Sequence, residues 1–280
     1  MYPMNYRQVF GRMPSAFFGL VAIASVAFVP SVGLAQARTK NPAGRIYVAS
    51  VDGVSQITAG DKIEALVLKA TYFANGKAIE TKSRGTVAMV FSNGTGMFLD
   101  PETQIEVTRF VQEPFVPGRT TMEIEPSVSQ TDVFLFHGLT AVSTSKLAPG
   151  STFIETTPLG SINLRDGKMV AEVNAELTRF TLLTGDATVR GGNLDLSGKL
   201  LRAGEQATLR AGLPGLPSSV VISKIVPVEL AGYEEKANTA YLARKTVFFE
   251  TDATDEILAI PVVPASLPVP ATVSPAQLPN

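Results

Sequence analysis

The sequence contains no cysteine, no tryptophan and a single histidine, His137. Without cysteine there is no disulfide framework, no thiolate metal site and no cysteine nucleophile. One histidine likewise excludes a histidine-rich metal centre. Charge is sparse: Asp, Glu, Lys and Arg make up 18% of the 280 residues, and 24 basic side chains against 25 acidic ones leave a net charge of −1. A balance this close to neutral provides no electrostatic footprint for a phosphate backbone, so nucleic acid is not an expected partner. Patterns for nucleotide binding and common hydrolases (G-x-x-x-x-G-K-[ST], G-x-G-x-x-G, G-x-S-x-G, H-E-x-x-H) do not occur. What is present in quantity is apolar surface, 45% of residues, enough to argue for a packed core and against wholesale disorder.

The first residues read as an export leader. Arg7 and Arg12 precede an apolar run from Ala16 to Val29, and no acidic residue accompanies them. The run has the length of a signal-peptide core, about 7–15 residues, and falls short of the ~20 needed for a spanning helix. Pro30 breaks it, and Ala35 and Ala37 flank Gln36 in an A-x-A site, so cleavage is expected after Ala37. The alternative is an uncleaved anchor; either way the body is expected to be periplasmic or secreted, with membrane contact only through this segment.

Residues 44–210 read as an all-β domain. Short apolar or β-branched runs alternate with turn dipeptides, and no 3.6-residue period is sustained. The dipeptides Asp52-Gly53, Asn75-Gly76, Asn93-Gly94, Asp166-Gly167, Gly185-Asp186 and Ser197-Gly198 mark expected hairpins, because type I′ turns require positive φ at both central positions. The expected strands cover 45–51, 65–73, 86–91, 96–99, 104–110, 153–156, 168–173, 180–183, 187–190 and 206–210. Ten short strands suit a β-sandwich, a roll or a short β-solenoid. Residues 111–131, interrupted by Pro114, Pro117, Gly118 and Pro126, read as a long loop in which Met122–Glu125 could add an edge strand.

Residues 211–227 read as a linker. The spacing of Leu230, Tyr233, Ala237, Ala240 and Tyr241 predicts a helix from about Val228 to Phe249 within a helical segment 228–259, although the next position on that face is the charged Arg244. Six prolines between Pro261 and Pro279 mark residues 260–280 as a disordered, polyproline-type tail.

Candidate chemistry is thin. His137, between a Phe-rich run and Gly138, reads as a hydrogen-bonded structural histidine at a strand end, since no triad partners accompany it. Paired carboxylates occur at Glu123/Glu125 and Glu102/Glu106; the first pair could bind a cation or serve acid/base chemistry at a glycosidic bond, but solvated loop charge explains it more simply. Asp252, Asp255 and Glu256 do not match a calcium loop and read as a solvated helix end. Asn93-Gly94-Thr95 fits a glycosylation pattern, though the turn already accounts for it. No catalytic, metal or cofactor-binding residue is assigned, and no cofactor is expected.

Three stretches resemble the FecR domain family of bacterial envelope proteins. They are TVAMVFSNGTGMFLDPETQIEV (Thr86–Val107), FIETTPLG (Phe153–Gly160), and FTLLTGDATV (Phe180–Val189) followed by LRAGEQATL (Leu201–Leu209). The resemblance covers about residues 44–210, and its G-E-Q-A piece is the most specific. It implies a β-rich extracytoplasmic domain, and in the family's founding type a periplasmic sensor that relays a transporter signal to a sigma factor. The chain departs from that type: only fifteen residues precede the apolar run, and Ser161–Gly167 replaces the usual G-V-R-G-T. The expectation is therefore a non-enzymatic envelope module that binds an envelope protein or surface polymer through edge strands or the 111–131 loop. The alternative is a carbohydrate-binding or structural surface module that uses Phe and Tyr faces.

Overall fold

The computed structural model describes residues 43–115, 123–252 and 256–262, all within one compact unit. The expected leader and most of the proline-rich tail lie outside the described residues. The protein is mainly β, with one helix near its C-terminal side. The strands of the first half are β1 (Arg45–Asp52), β2 (Ser55–Ala59), β3 (Lys62–Ala65), β4 (Thr71–Phe73), β5 (Lys77–Thr81), β6 (Thr86–Phe91), β7 (Gly96–Leu99) and β8 (Gln104–Gln112). Three long strands carry the second half: β9 (Ser129–Ser143), β11 (Gly160–Val173) and β12 (Thr178–Arg190), with β10 (Thr152–Thr157) between the first two. Then follow β13 (Lys199–Arg202), β14 (Glu205–Arg210), β15 (Ser219–Lys224), α1 (Pro227–Ala243), β16 (Val247–Thr251) and β17 (Ile257–Pro261).

The pairing defines two layers that share the three long strands. One layer runs β15-β14-β12-β11-β9-β7-β6-β1-β4; the other runs β13-β12-β11-β10-β9-β8-β5-β2-β3. β9 pairs with β8 and β10 up to His137, then with β7 and β11 from Gly138 onward. Every ladder between these strands except β9–β10 is antiparallel. That excludes a solenoid of parallel coils and leaves the sandwich or roll.

Asp166-Gly167 and Gly185-Asp186 are not hairpin turns, contrary to expectation. They face each other in the middle of β11 and β12, Gly167 opposite Gly185, where the register slips on either side. Both glycines have positive φ (+113° and +89°), and a Cβ on either would meet carbonyl oxygen of the other strand at about 2 Å. Here the turn-forming dipeptide bends a strand from one layer into the other instead of ending it.

Inward-facing residues of both layers form one core. Ile46, Met89, Met97 and Phe180 from one side meet Ile79, Ile105, Val133 and Phe153 from the other. The layer holding β6 is buried on its outer face too, which explains why Thr86–Phe91 is a continuous apolar run instead of an alternating one. Tyr233 and Ala237 of α1 cover Ala141 and Val170, while Val247, Phe249 and Ile257 cover Tyr47, Ala88 and Val90. The helix approaches so closely that a Cβ at Gly96 would lie 2.0 Å from the Ala240 carbonyl oxygen. The other layer has its outer face in solvent, and β10 shows the corresponding buried/half-buried alternation.

The layout differs from the sequence reading in several places: the expected strand 65–73 is broken at 66–70 between β3 and β4, and β2, β5, β9 and β13 fall where no strand was expected. The helix ends at Ala243, and residues expected to extend it form the β16–β17 hairpin, because Val247, Phe249 and Ile257 fall on one face at strand spacing and are buried there. The expected linker contains β15, which adds to β14. The expected tail begins inside β17, where Pro261 pairs with Val247 at the strand's end. Among the described residues no helix is long and apolar enough to cross a membrane.

Candidate functional site

His137 is exposed, and β9 continues through it into the Gly138 bend, so it is not a hydrogen-bonded strand-end residue as expected. Around it β5 and the turn before β8 bring Glu80, Lys82, Ser83 and Glu102 into a shallow cleft of about 360 Å³. The groups there are largely committed. Lys82 Nζ donates to Glu80, Gln56 Nε2 donates to the same carboxylate at 2.7 Å, and Thr81 Oγ1 donates to the Asp100 carbonyl at 2.6 Å. The Lys82 hydrogen bond, chiefly, holds the Glu80 carboxyl below its ordinary range. An ion pair beside an exposed imidazole lacks the nucleophile–base–orienter chain that acyl or phosphoryl transfer requires.

The carboxylate pairs do not converge. Glu123 is exposed, ion-paired with Lys245 and within 3.4 Å of the Tyr241 hydroxyl, and its carboxyl is held low mainly by Lys245. Glu125, only two residues on, is buried and accepts from Ser129 Oγ and from the Ala148 backbone N–H at 2.7 Å. Burial raises its carboxyl above the ordinary value while these donors oppose the rise. Glu125 thereby ties the described end of the 111–131 loop to the chain before β10, next to the bridge of Ile124 with Lys146. That single bridge stands where an edge strand was expected, and residues 116–122 lie outside the described residues. Glu106 sits opposite Phe134 on the open layer, whereas Glu102 lines the His137 cleft.

The acidic cluster near 252 is also structural. Asp252 Oδ1 accepts from the Glu256 backbone N–H at 2.9 Å, closing the β16–β17 turn, and Glu256 pairs with Arg45 of β1. It is a hairpin turn, not the expected helix end; Asp255 lies outside the described residues. Among the described residues no three metal-ligating side chains come together. Asn93 is fully buried: its amide donates to Ser129 Oγ and Thr131 Oγ1, and its carbonyl accepts from the Thr95 N–H.

Besides Glu125 and Arg45, two further charged residues are buried that the sequence reading did not expect there. Glu155 is fully enclosed in the core, and burial pushes its carboxyl up to about 7. Strand parity was the available signal, since Glu155 shares its face with Phe153 and Thr157. Arg244, 2% exposed, follows the last turn of α1 and donates to the Thr144 carbonyl at 2.7 Å and to Ser143 Oγ at 3.3 Å. The guanidinium thus continues the helix face that the sequence reading saw interrupted, by joining it to the end of β9.

The open edges of the two layers carry much of the large apolar surface left in solvent. At one edge are Ile63, Val67, Leu68 and Phe73; at the other are Leu194, Leu196, Leu200, Leu213, Leu216 and Val221. The first edge is guarded: Lys62 and Glu64 form an ion pair on β3, and the Arg45 guanidinium lies 3.5 Å over the Phe73 ring. The second ends in β15, which among the described residues pairs only with β14 and leaves Val221 61% exposed.

No family model matches the chain, and no curated protein matches it. Among solved structures it is similar to two crystal structures of a "putative anti-sigma factor" from Parabacteroides distasonis. One is 13% identical with a TM-score of 0.41, and the match covers 56% of this chain and 64% of that chain. The other is 14% identical with a TM-score of 0.41, covering 56% and 63%. The chain therefore spans less than two thirds of that protein.

Proposed function

We propose that this chain is a non-enzymatic module of the bacterial cell envelope, of the FecR-like type, exported through its N-terminal segment and acting by binding an extended segment of a partner protein along β15. The observation that carries the reading is the open edge: a six-residue strand paired on one side among the described residues, with Val221 exposed on it and Leu213 and Leu216 in the loop leading to it. An edge strand offers main-chain donors and acceptors to an incoming strand, and flanking apolar side chains supply pockets for alternate residues. Among the described residues its one ion pair, Lys224 with Glu205, reaches back to β14, and Lys199 Nζ donates to the Val220 carbonyl at 2.6 Å. The family motifs support the FecR-like assignment at the level of sequence, and their residues serve turns and strand ends; Gly204, for example, has φ +80° between β13 and β14. Export rests on the basic residues, apolar run and A-x-A site at the start of the sequence. The committed groups around His137 and the separated glutamates favour binding over catalysis.

The test is site-specific photo-crosslinking in the native envelope. A crosslinker at position 221 should give a discrete protein adduct, and one at position 242, an exposed site on α1, should not. Absence of an adduct at 221, or equal adducts at both positions, overturns the edge as the binding surface.

A further inference from the structure

The outer face of the open layer holds a second arrangement, independent of the β15 edge. Phe134 on β9 stands opposite Thr156 on β10, which stands opposite Ser161 on β11. Neighbouring strands lie about 4.7–4.9 Å apart, so a ring and two hydroxyls form a row roughly 10 Å long. The turn joining β10 to β11 and the loop carrying Gly192 and Asn193 raise walls around this row, enclosing a concavity of about 320 Å³. That lies at the small end of ligand sites, which run from about 300 to 1,000 Å³.

Its chemistry is selective. No charged side chain lines it. Thr157, beneath the row and 4% exposed, is fully engaged: its hydroxyl donates to the Gly160 carbonyl at 2.9 Å, accepts from the Gly160 N–H at 3.3 Å, and meets Thr178 Oγ1 at 3.1 Å. It fixes the turn and offers nothing outward. The groups that point to the concavity are the half-buried Thr156 and Ser161 hydroxyls and the exposed Asn193 amide. The Phe134 ring is backed by Phe136, with centroids 4.6 Å apart and planes tilted by 51°, so it is held as a platform.

An immobilised aromatic face beside neutral hydroxyl and amide groups suits a ligand with one apolar C–H face and a rim of hydroxyls. A peptide strand is a poorer fit, because β9, β10 and β11 are paired on both sides here and have no free main-chain edge. We propose that this concavity is a glycan-binding subsite that seats one pyranose unit, its C–H face on Phe134 and its hydroxyls on Thr156, Ser161 and Asn193.

Calorimetric titration of the full chain with cellotetraose, mannotetraose and chitotetraose tests the assignment. At least one should bind, with a dissociation constant on the order of 1 mM, as expected for a single shallow subsite. Phe134→Ala should weaken that binding about tenfold, the equivalent of one stacking contact. The double variant Thr156→Val with Ser161→Ala, which keeps the ring, should weaken it at least about fivefold through lost hydrogen bonds. Val221→Lys at the distant edge should leave it unchanged, which separates this site from the protein-binding reading. No binding by any of the three glycans at about 10 mM, or binding that persists undiminished in the folded Phe134→Ala and double variants, overturns the proposal.

Discussion

Thr140 Oγ1 donates a 2.6 Å hydrogen bond across the core to Glu155 Oε1, while Glu155 Oε2 meets no donor. The carboxyl is therefore half-satisfied in a fully buried setting, and burial raises it from an ordinary 4.5 to about 7. The folded chain then holds this proton more tightly than the unfolded chain does, so stability falls as pH rises from about 4.5 to about 7 and levels off above that. A rise of this size corresponds to roughly 3 kcal/mol lost across the window. Glu155→Gln, which cannot ionise, should flatten the slope of unfolding free energy between pH 5 and pH 8. An unchanged slope would assign the pH dependence elsewhere.

Gly96 is where α1 touches the sheet most closely. Gly96→Ala drives a methyl to within 2.0 Å of the Ala240 carbonyl oxygen, backbone that cannot swing aside. The helix must lift, at a cost of about 1–3 kcal/mol. Hydrogen exchange should accelerate in α1 and β7 while the β8–β9 ladder keeps its protection.

Arg244 fastens the end of α1 to the end of β9 through the Thr144 carbonyl and Ser143 hydroxyl. Arg244→Ala opens a cavity and strands a buried carbonyl, so a loss of about 3 kcal/mol is expected in chemical denaturation. Arg244→Lys should recover only part of it, since a single ammonium lacks the planar fork of the guanidinium.

Asn93 has the sequence of a glycosylation acceptor and the setting of a core residue. Its amide and carbonyl hold Ser129, Thr131 and Thr95, so Asn93→Ala should destabilise the fold by about 2–3 kcal/mol. Intact mass after expression in a glycosylating host should show an unmodified Asn93.

The strand character of the chain was legible because the signals are local, but of the N-terminal-half dipeptides only Asn93-Gly94 closes a hairpin, β6–β7, since among the described residues β1 does not pair with β2 nor β4 with β5. Asp52-Gly53, Asn75-Gly76 and Asn93-Gly94 sit at turns with positive-φ glycines, as their chemistry requires. Asp166-Gly167 and Gly185-Asp186 carry the same signal yet lie inside strands, because the opposing pair fills the space that a turn would leave. The end of α1 was misplaced for a related reason: Thr246–Thr251 can follow either period, and burial against Tyr47 and Val90 selects the strand. The surfaces were less legible still. Phe134, Thr156 and Ser161 are separated by up to 27 positions and become neighbours only through the parallel β9–β10 pair, which no dipeptide announces. The exposure of Val221 was hidden because its segment read as a linker.

Because β9, β11 and β12 each run through both layers, neither sheet can unravel while the other persists: peeling one apart drags the same three chains out of its counterpart. Global unfolding should accordingly be a single cooperative event, with the same midpoint by far-ultraviolet dichroism and by tyrosine fluorescence. The outer cover of α1 and the β16–β17 hairpin is free of this entanglement, and partial opening of the molecule is expected to begin there.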